Sequence, residues 1–320
     1  MFEQKSPVHA LNQARLDAIP SIIDKVFYFQ GCTERAYPGI NAAFIEACKI
    51  MGNELITSDE QSCCTGNYLA FNTAPLATPL AITQRNYNVM SQHTTNCVTT
   101  CNGCFQSFQN CDAYMKKGDW RARITDVMEQ IGREFIDDVH VFHVAEFFYK
   151  NRAAIQQHAK RSLDGVKIAI HYGCHFLHQE DPAVMLDDFE NPSILETLLG
   201  GSLEATVVDY RERLTCCGAG LNQRMIRDDR TNSLKITLRK MKSIKKAGAD
   251  AIVVVCPYCL LHLDNAQAEL EVEFDEAFDI PVIHLAELVG VLFDLPAEVV
   301  RLDAHKVSVN SFLKKIGYQG

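Results

Sequence analysis

Four short apolar runs recur along this chain, and each ends at a cysteine or at Gly-Cys. Val26-Phe-Tyr-Phe-Gln30, Asn96-Cys-Val-Thr-Thr100, Val166-Lys-Ile-Ala-Ile-His-Tyr172 and Ala251-Ile-Val-Val-Val255 are rich in β-branched and aromatic residues, as strands are. The last run is apolar throughout, as expected of a strand buried on both faces of a parallel sheet. Between the runs the spacing becomes helical. Residues 38–51 begin with Pro38 and are closed by Gly52, the asymmetry of a helix with proline in its first turn and glycine past its end. Leu221 to Ala247 forms a longer charged amphipathic stretch stopped by Gly248. Strands alternating with helices predict βαβ units and an α/β fold.

Composition narrows the function. The chain has 320 residues, 47% hydrophobic and 22% charged, an ordinary globular balance. Its 31 Lys+Arg against 40 Asp+Glu leave a net charge of −9, which argues against a nucleic-acid partner. No apolar stretch approaches the ~20 residues that span a bilayer. The N-terminal residues are polar and lack the apolar core of a secretory signal, so a cytoplasmic protein without a transmembrane segment is expected. One number is abnormal: thirteen cysteines. In a reducing compartment these are better read as metal ligands or redox groups than as disulfide staples.

Their order repeats. Cys32 is followed by the pair Cys63-Cys64 and then by Cys101-Asn-Gly-Cys104; Cys174 is followed by Cys216-Cys217 and then by Cys256-Pro-Tyr-Cys259. Matching positions are offset by 142, 153 and 155 residues. Gly31 and Gly173 precede the first cysteines, and His143-Val-Ala-Glu146 recurs as His284-Leu-Ala-Glu287. This is an internal duplication. It predicts a first module over residues 25–160 and a second over 165–295. Residues 1–24 are then an N-terminal extension and 296–320 a C-terminal tail. Each module is expected to be a small parallel sheet flanked by helices, with a pseudo-two-fold axis relating the two. The first cysteine and the CxxC pair fall at carboxyl ends of parallel strands, where open α/β sheets bind ligands. Each CxxC is expected to open a helix, whose N–H groups favour thiolates. The Cys-Cys pairs lie in glycine-bearing turns able to wrap an inorganic core.

Zinc and cubane iron–sulfur clusters both take four thiolates, yet each module offers five. Adjacent cysteines cannot easily face one metal ion but can bind neighbouring irons, so a polynuclear iron site suits the set better than zinc. The alternative of four ligands and a buried fifth cysteine stays open. Cys48, Cys97 and Cys111 lie outside the pattern and are expected in the core as small hydrophobes.

The strings His171-Tyr-Gly-Cys-His-Phe-Leu177, Cys216-Cys-Gly-Ala-Gly220, Gly248-Ala-Asp-Ala-Ile-Val-Val-Val-Cys-Pro-Tyr-Cys259 and Val98-Thr-Thr-Cys-Asn-Gly-Cys104 resemble the cysteine-rich CCG domain. From about residue 25 onward the chain resembles the B subunits of the heterodisulfide reductases of methanogens. The resemblance implies two non-cubane 4Fe–4S clusters, each held by one module's five cysteines: Cys32, Cys63, Cys64, Cys101 and Cys104, then Cys174, Cys216, Cys217, Cys256 and Cys259. It implies reduction of the coenzyme M–coenzyme B disulfide between them, a step in methanogenesis. It also implies an iron–sulfur C subunit, a flavin-containing A subunit and, beyond these, a hydrogenase or formate dehydrogenase. An electron-transfer subunit of a quinone-linked or dehydrogenase complex is the competing reading, and a zinc-stabilised scaffold the third. Two departures stand out: the first pair reads Cys63-Cys-Thr-Gly66 rather than Cys-Cys-Gly, and the N-terminal extension is long.

Other residues are candidates by position. His175 follows Cys174 and is the candidate proton donor. Arg35 and Arg224 are candidate partners of an anionic substrate. His171, His175 and His178 could form a zinc site, though a structural role is favoured. His143 and His284 are expected to fix the start of a helix in each module. The basic run Arg239-Lys-Met-Lys-Ser-Ile-Lys-Lys246 is read as a solvated or partner-docking face.

Overall fold

The computed structural model describes residues 25–178, 187–222 and 229–320; the expected N-terminal extension and Arg224 lie outside them. Strands β1 (Lys25–Phe29), β2 (Glu54–Ile56), β3 (Asn96–Thr99) and β4 (His140–His143) form one sheet in the order β2-β1-β3-β4. Strands β5 (Lys167–His171), β6 (Thr206–Val207), β7 (Ala251–Val254) and β8 (Val282–His284) repeat it as β6-β5-β7-β8. Every pairing is parallel. The two central strands of each sheet are those expected from the sequence. The flanking four are only two to four residues long, too short for a periodic signal.

Helices cover both faces, which is why the central strands are apolar without alternation: all four residues of β7 are fully buried. The order reverses between β1 and β3, and again between β5 and β7, so connections leave these neighbours on opposite sides. A crevice opens at their carboxyl ends, where Cys32, Cys101, Cys174 and Cys256 stand.

The modules interlock through helices. Helix Gly39–Ile50, which follows β1, packs on helix Leu285–Leu292, which follows β8. The reciprocal contact joins helix Val144–Lys150 to the helical stretch Ile194–Glu196 and its continuation Thr197–Ser202. Polar contacts add precision. The Asn102 amide donates to the Tyr172 carbonyl at 2.7 Å, the Tyr37 hydroxyl donates to Asp264 Oδ2 at 2.6 Å, and the His284 ring bonds the Thr100 carbonyl at 3.0 Å.

His143 and His284 take up the expected role. Each Nδ1 accepts from the amide two residues on, and Glu146 or Glu287 reaches back to the histidine N–H. Both helix starts are reciprocal capping boxes with histidine in place of serine. Cys48, Cys97 and Cys111 are fully buried, as small core residues.

Glu287 also pairs with His305, at 3.2 Å and with both side chains out of solvent. Burial pushes the His305 imidazole down, but the Glu287 carboxylate, Asp264 and the Val282 backbone together outweigh it and the net shift is upward. A raised folded-state value stabilises fully below the ordinary histidine range, and that stabilisation is lost as pH rises through the folded value. His305→Gln is therefore expected to destabilise the chain at pH 6 by ~2 kcal/mol and by less at pH 8.5. Thermal unfolding of both proteins across this range checks it; a deficit that grows with pH refutes it.

Candidate metal centre

Each first cysteine starts a helical turn, Cys32–Ala36 and Cys174–Leu177, and each CxxC opens a long helix with its first cysteine as the N-cap, Cys101 before Asn102–Met115 and Cys256 before Pro257–Phe274. Extended backbone at both caps aims their side chains out of the helix start. Space is reserved for sulfur by glycine. A Cβ on Gly173, which has φ +82°, would fall 2.7 Å from Asn102 Nδ2 and 3.2 Å from Cys259 Sγ. One on Gly66 would fall 2.8 Å from the Gly103 carbonyl oxygen.

The two Cys-Cys turns match in detail. Cys63 Sγ accepts from the Thr65 amide at 3.3 Å and Cys64 Sγ from Gly66 at 3.5 Å; Cys216 Sγ accepts from Gly218 at 3.3 Å and Cys217 Sγ from Ala219 at 3.5 Å. The residue after each pair has positive φ, +110° at Gly218 and +64° at Thr65. The departure noted in the first module thus puts a β-branched residue where the second has glycine, a strained choice. Its hydroxyl offsets the strain by donating to the Cys64 carbonyl at 2.6 Å.

All ten patterned cysteines line one cavity. Their sulfurs form a continuous series of contacts: Cys32 to Cys63, Cys64, Cys104 and Cys101, across to Cys256, then Cys259, Cys217, Cys216 and Cys174. The second half is the first reversed, element for element, about the 3.9 Å contact between Cys101 and Cys256. A pseudo-two-fold axis passes there. The sulfurs share protons unequally. Hydrogen bonds from Cys104 and Cys63 hold the Cys64 thiol well below its ordinary range, and Cys101 and Cys259 do the same for Cys256. Hydrogen bonding to Cys216 pushes Cys174 up. Thiolate character in buried, amide-lined sites is what cluster ligation requires. Five sulfurs in contact per half, each pair on backbone N–H donors, fit a multi-iron centre.

Among the other candidates, His175 lines this cavity half-buried, and desolvation lowers its pKa. Arg35 is exposed and lines a surface depression with Cys32 and Cys63. His171 does not group with His175 and His178; it lies fully buried beside Cys217 and Cys259, one of its ring nitrogens and their two sulfurs within 4.8 Å of one another.

Two residues were missed in the sequence. Glu34 is fully buried near Cys32, accepts from the Tyr28 hydroxyl at 3.0 Å and from Thr100, and is pushed up to about 7 by burial. Lys240, inside the basic run read as solvated, is also fully buried. Its place three residues after Thr237 puts it on the inner helix face, and that spacing was the available signal.

The family described as CCG, a cysteine-rich domain, matches residues 26–109 and again 168–264. The B subunit of the ferredoxin:CoB-CoM heterodisulfide reductase of Methanosarcina mazei is 31% identical over 306 residues, 92% of this chain and 97% of the relative. The 8-methylmenaquinol:fumarate reductase membrane anchor subunit of Wolinella succinogenes is 27% identical over 277 residues, 86% and 94% of the two chains. Among solved structures, a hypothetical protein from Helicobacter pylori shares the fold with TM-score 0.65 at 9% identity, over 96% of this chain and 58% of its own.

Proposed function

This chain belongs to the cysteine-rich CCG family, among the B subunits of heterodisulfide reductases, and on that premise we propose that it is a disulfide-reducing catalytic subunit working between two iron–sulfur clusters. That it is an iron–sulfur subunit of a multisubunit oxidoreductase follows from the relatives. The finer reading rests on one observation, the sulfur series that runs from one module into the other through Cys101 and Cys256.

The clusters, two of the non-cubane 4Fe–4S type held by the five cysteines of modules 25–160 and 165–295, would supply one-electron chemistry on each side of a disulfide. The chain does the rest. The Cys-Cys turns direct amide N–H groups at the sulfurs of Cys63, Cys64, Cys216 and Cys217, which favours thiolate ligands there. The interlocked helices keep the two halves in register, so a substrate in the crevice meets both. The disulfide takes up two electrons and two protons and leaves as two thiols. His175, on the cavity wall, would pass a proton to a product sulfur, and Arg35 and Arg224 are proposed as anion partners. The natural substrate is proposed to be the coenzyme M–coenzyme B disulfide. Electrons would come through an iron–sulfur C subunit and a flavin-containing A subunit, with a hydrogenase or formate dehydrogenase beyond, in the cytoplasm. No helix among the described residues is long and apolar enough to cross a membrane.

A second reading has its own support: the Wolinella relative is named as a membrane anchor subunit of a fumarate reductase, which suits plain electron transfer. Anaerobically purified protein separates the two. The proposal expects about eight irons per chain, no stoichiometric zinc, and thiol release from coenzyme M–coenzyme B disulfide with a low-potential one-electron donor. Full iron without thiol release favours electron transfer, and one zinc with about four irons rejects the symmetric pair.

A further inference from the structure

The duplication sets up an internal comparison, and the two cysteine sites differ in one buried charge. In the second module the Thr237 hydroxyl donates to the Cys217 carbonyl at 2.8 Å, and one turn on stands Lys240. In the first module Thr83 occupies the same place, its hydroxyl 3.3 Å from that of Thr65 beside Cys64, and three residues on stands Asn86. Both Lys240 and Asn86 are fully buried. Asn86 is neutral and spends its amide locally, donating to the Cys63 carbonyl at 3.1 Å and accepting from Ser62 at 3.0 Å. Lys240 instead donates to the Glu212 carbonyl, with its ammonium 5.4 Å from the centre of the Tyr210 ring.

An ammonium out of water needs an opposite charge nearby. Burial pushes Lys240 down to about 8, and the groups that most hold its charge in place are the sulfurs of Cys217, Cys259 and Cys216, ahead of the Glu212 carboxylate. A further polar group distinguishes the second site: β5 ends on His171 where β1 ends on Phe29, and neither ring nitrogen of His171 has a partner among the described residues. The first module has a cation nearby in Arg35, but it is exposed, and its field is screened by water and salt.

We propose that Lys240 makes the two centres unequal, so that the one held by Cys174, Cys216, Cys217, Cys256 and Cys259 keeps an added electron more tightly than its partner. This deepens the iron–sulfur reading above and rests on it. A buried positive charge beside one centre stabilises its reduced, more negative form and leaves the other nearly unaffected. An electron delivered to the pair then resides mainly in the second module. Lys240 is a positioning residue for charge and need not touch substrate.

The test is a potentiometric titration of the full chain, purified anaerobically with its iron, followed by electron paramagnetic resonance. Cys64→Ser and Cys217→Ser assign the signals to their modules. Lys240→Met keeps length and apolar volume while removing the charge. It is expected to lower the second-module midpoint so that the reduced-to-oxidised ratio at a fixed potential falls ~10-fold, which is 59 mV for one electron, with the first-module midpoint unchanged. Lys240→Arg, which keeps the charge, is expected to retain the parent midpoint. An unchanged second-module midpoint in Lys240→Met, or equal shifts in both modules, overturns the proposal. If Lys240→Met takes up no second-module iron, Lys240→Arg decides: iron at the parent midpoint supports a charge role, and loss there too assigns the residue to packing and overturns it. A parent chain without iron fails the underlying reading instead, and metal analysis shows this before any titration.

Discussion

Cys217→Ser should leave the chain with about half its iron and lower disulfide reduction by ~100-fold or more. Cys217 Sγ is buried, touches both Cys216 and Cys259, and accepts the Ala219 amide at 3.5 Å. A serine oxygen is smaller, harder and far less acidic, so it replaces neither the thiolate nor its reach. Cys64→Ser should do the same in the first module, where Cys64 bridges Cys63 and Cys104. The five-sulfur halves meet only where Cys101 faces Cys256 in the sulfur series, so iron loss should stay within the altered module. Turnover should nonetheless vanish in both variants, because the proposed cleavage needs a centre on each side of the bond. Iron per chain, measured alongside thiol release, checks both parts; substantial turnover with half the iron removes the two-centre mechanism. Cys48→Ala provides the control. It deletes a buried sulfur that does not line the cysteine cavity, costs stability by ~1 kcal/mol, and should leave iron and turnover close to those of the parent.

What made this site legible was spacing. Ten cysteines in two ordered sets carry their own internal check, and the β-rich runs before Gly31, Cys101, Gly173 and Cys256 fixed which strand ends they occupy. The capping role of His143 and His284 was equally readable, because the histidine and the glutamate three residues on repeat as a unit. Other features had no one-dimensional signal. The strands Glu54–Ile56 and Thr206–Val207 are defined by pairing with a central neighbour rather than by their own composition. Lys240 hid in a basic run because charge runs normally face water. Only the helix phase, three residues beyond a threonine that bonds the Cys217 carbonyl, turns it inward. Glu34 was passed over for the matching reason: a lone acid near a cysteine reads as surface until Tyr28 and Thr100 are seen bonding to it. The replacement of glycine by Thr65 was visible as a departure, but its left-handed backbone needed the structure.

The second large effect should come from a residue outside the cysteine set. Gly39 begins the helix that crosses onto the other module, and a Cβ there would fall 1.9 Å from the Val300 carbonyl oxygen and 3.2 Å from Glu287 Oε1. A backbone carbonyl in a packed segment cannot step aside, so Gly39→Ala must push the helices apart. Alanine in a helix normally gains up to ~1 kcal/mol over glycine; here the sign reverses, with an expected loss of ~3 kcal/mol. For a chain of this size that lowers the melting temperature by several degrees, on the order of 5–10 °C. This helix packs on helix Leu285–Leu292 of the other module, so the variant should also uncouple structure from activity in a telling way. Below its melting temperature each module keeps its own five sulfurs and hence its iron, while the crevice between modules widens and disulfide reduction falls. Iron retained with turnover lost would place the chemistry between the modules. Iron and turnover both unchanged, with the chain destabilised, would mean that one module reduces the disulfide without the other, and the paired arrangement of sulfurs would then need a different purpose.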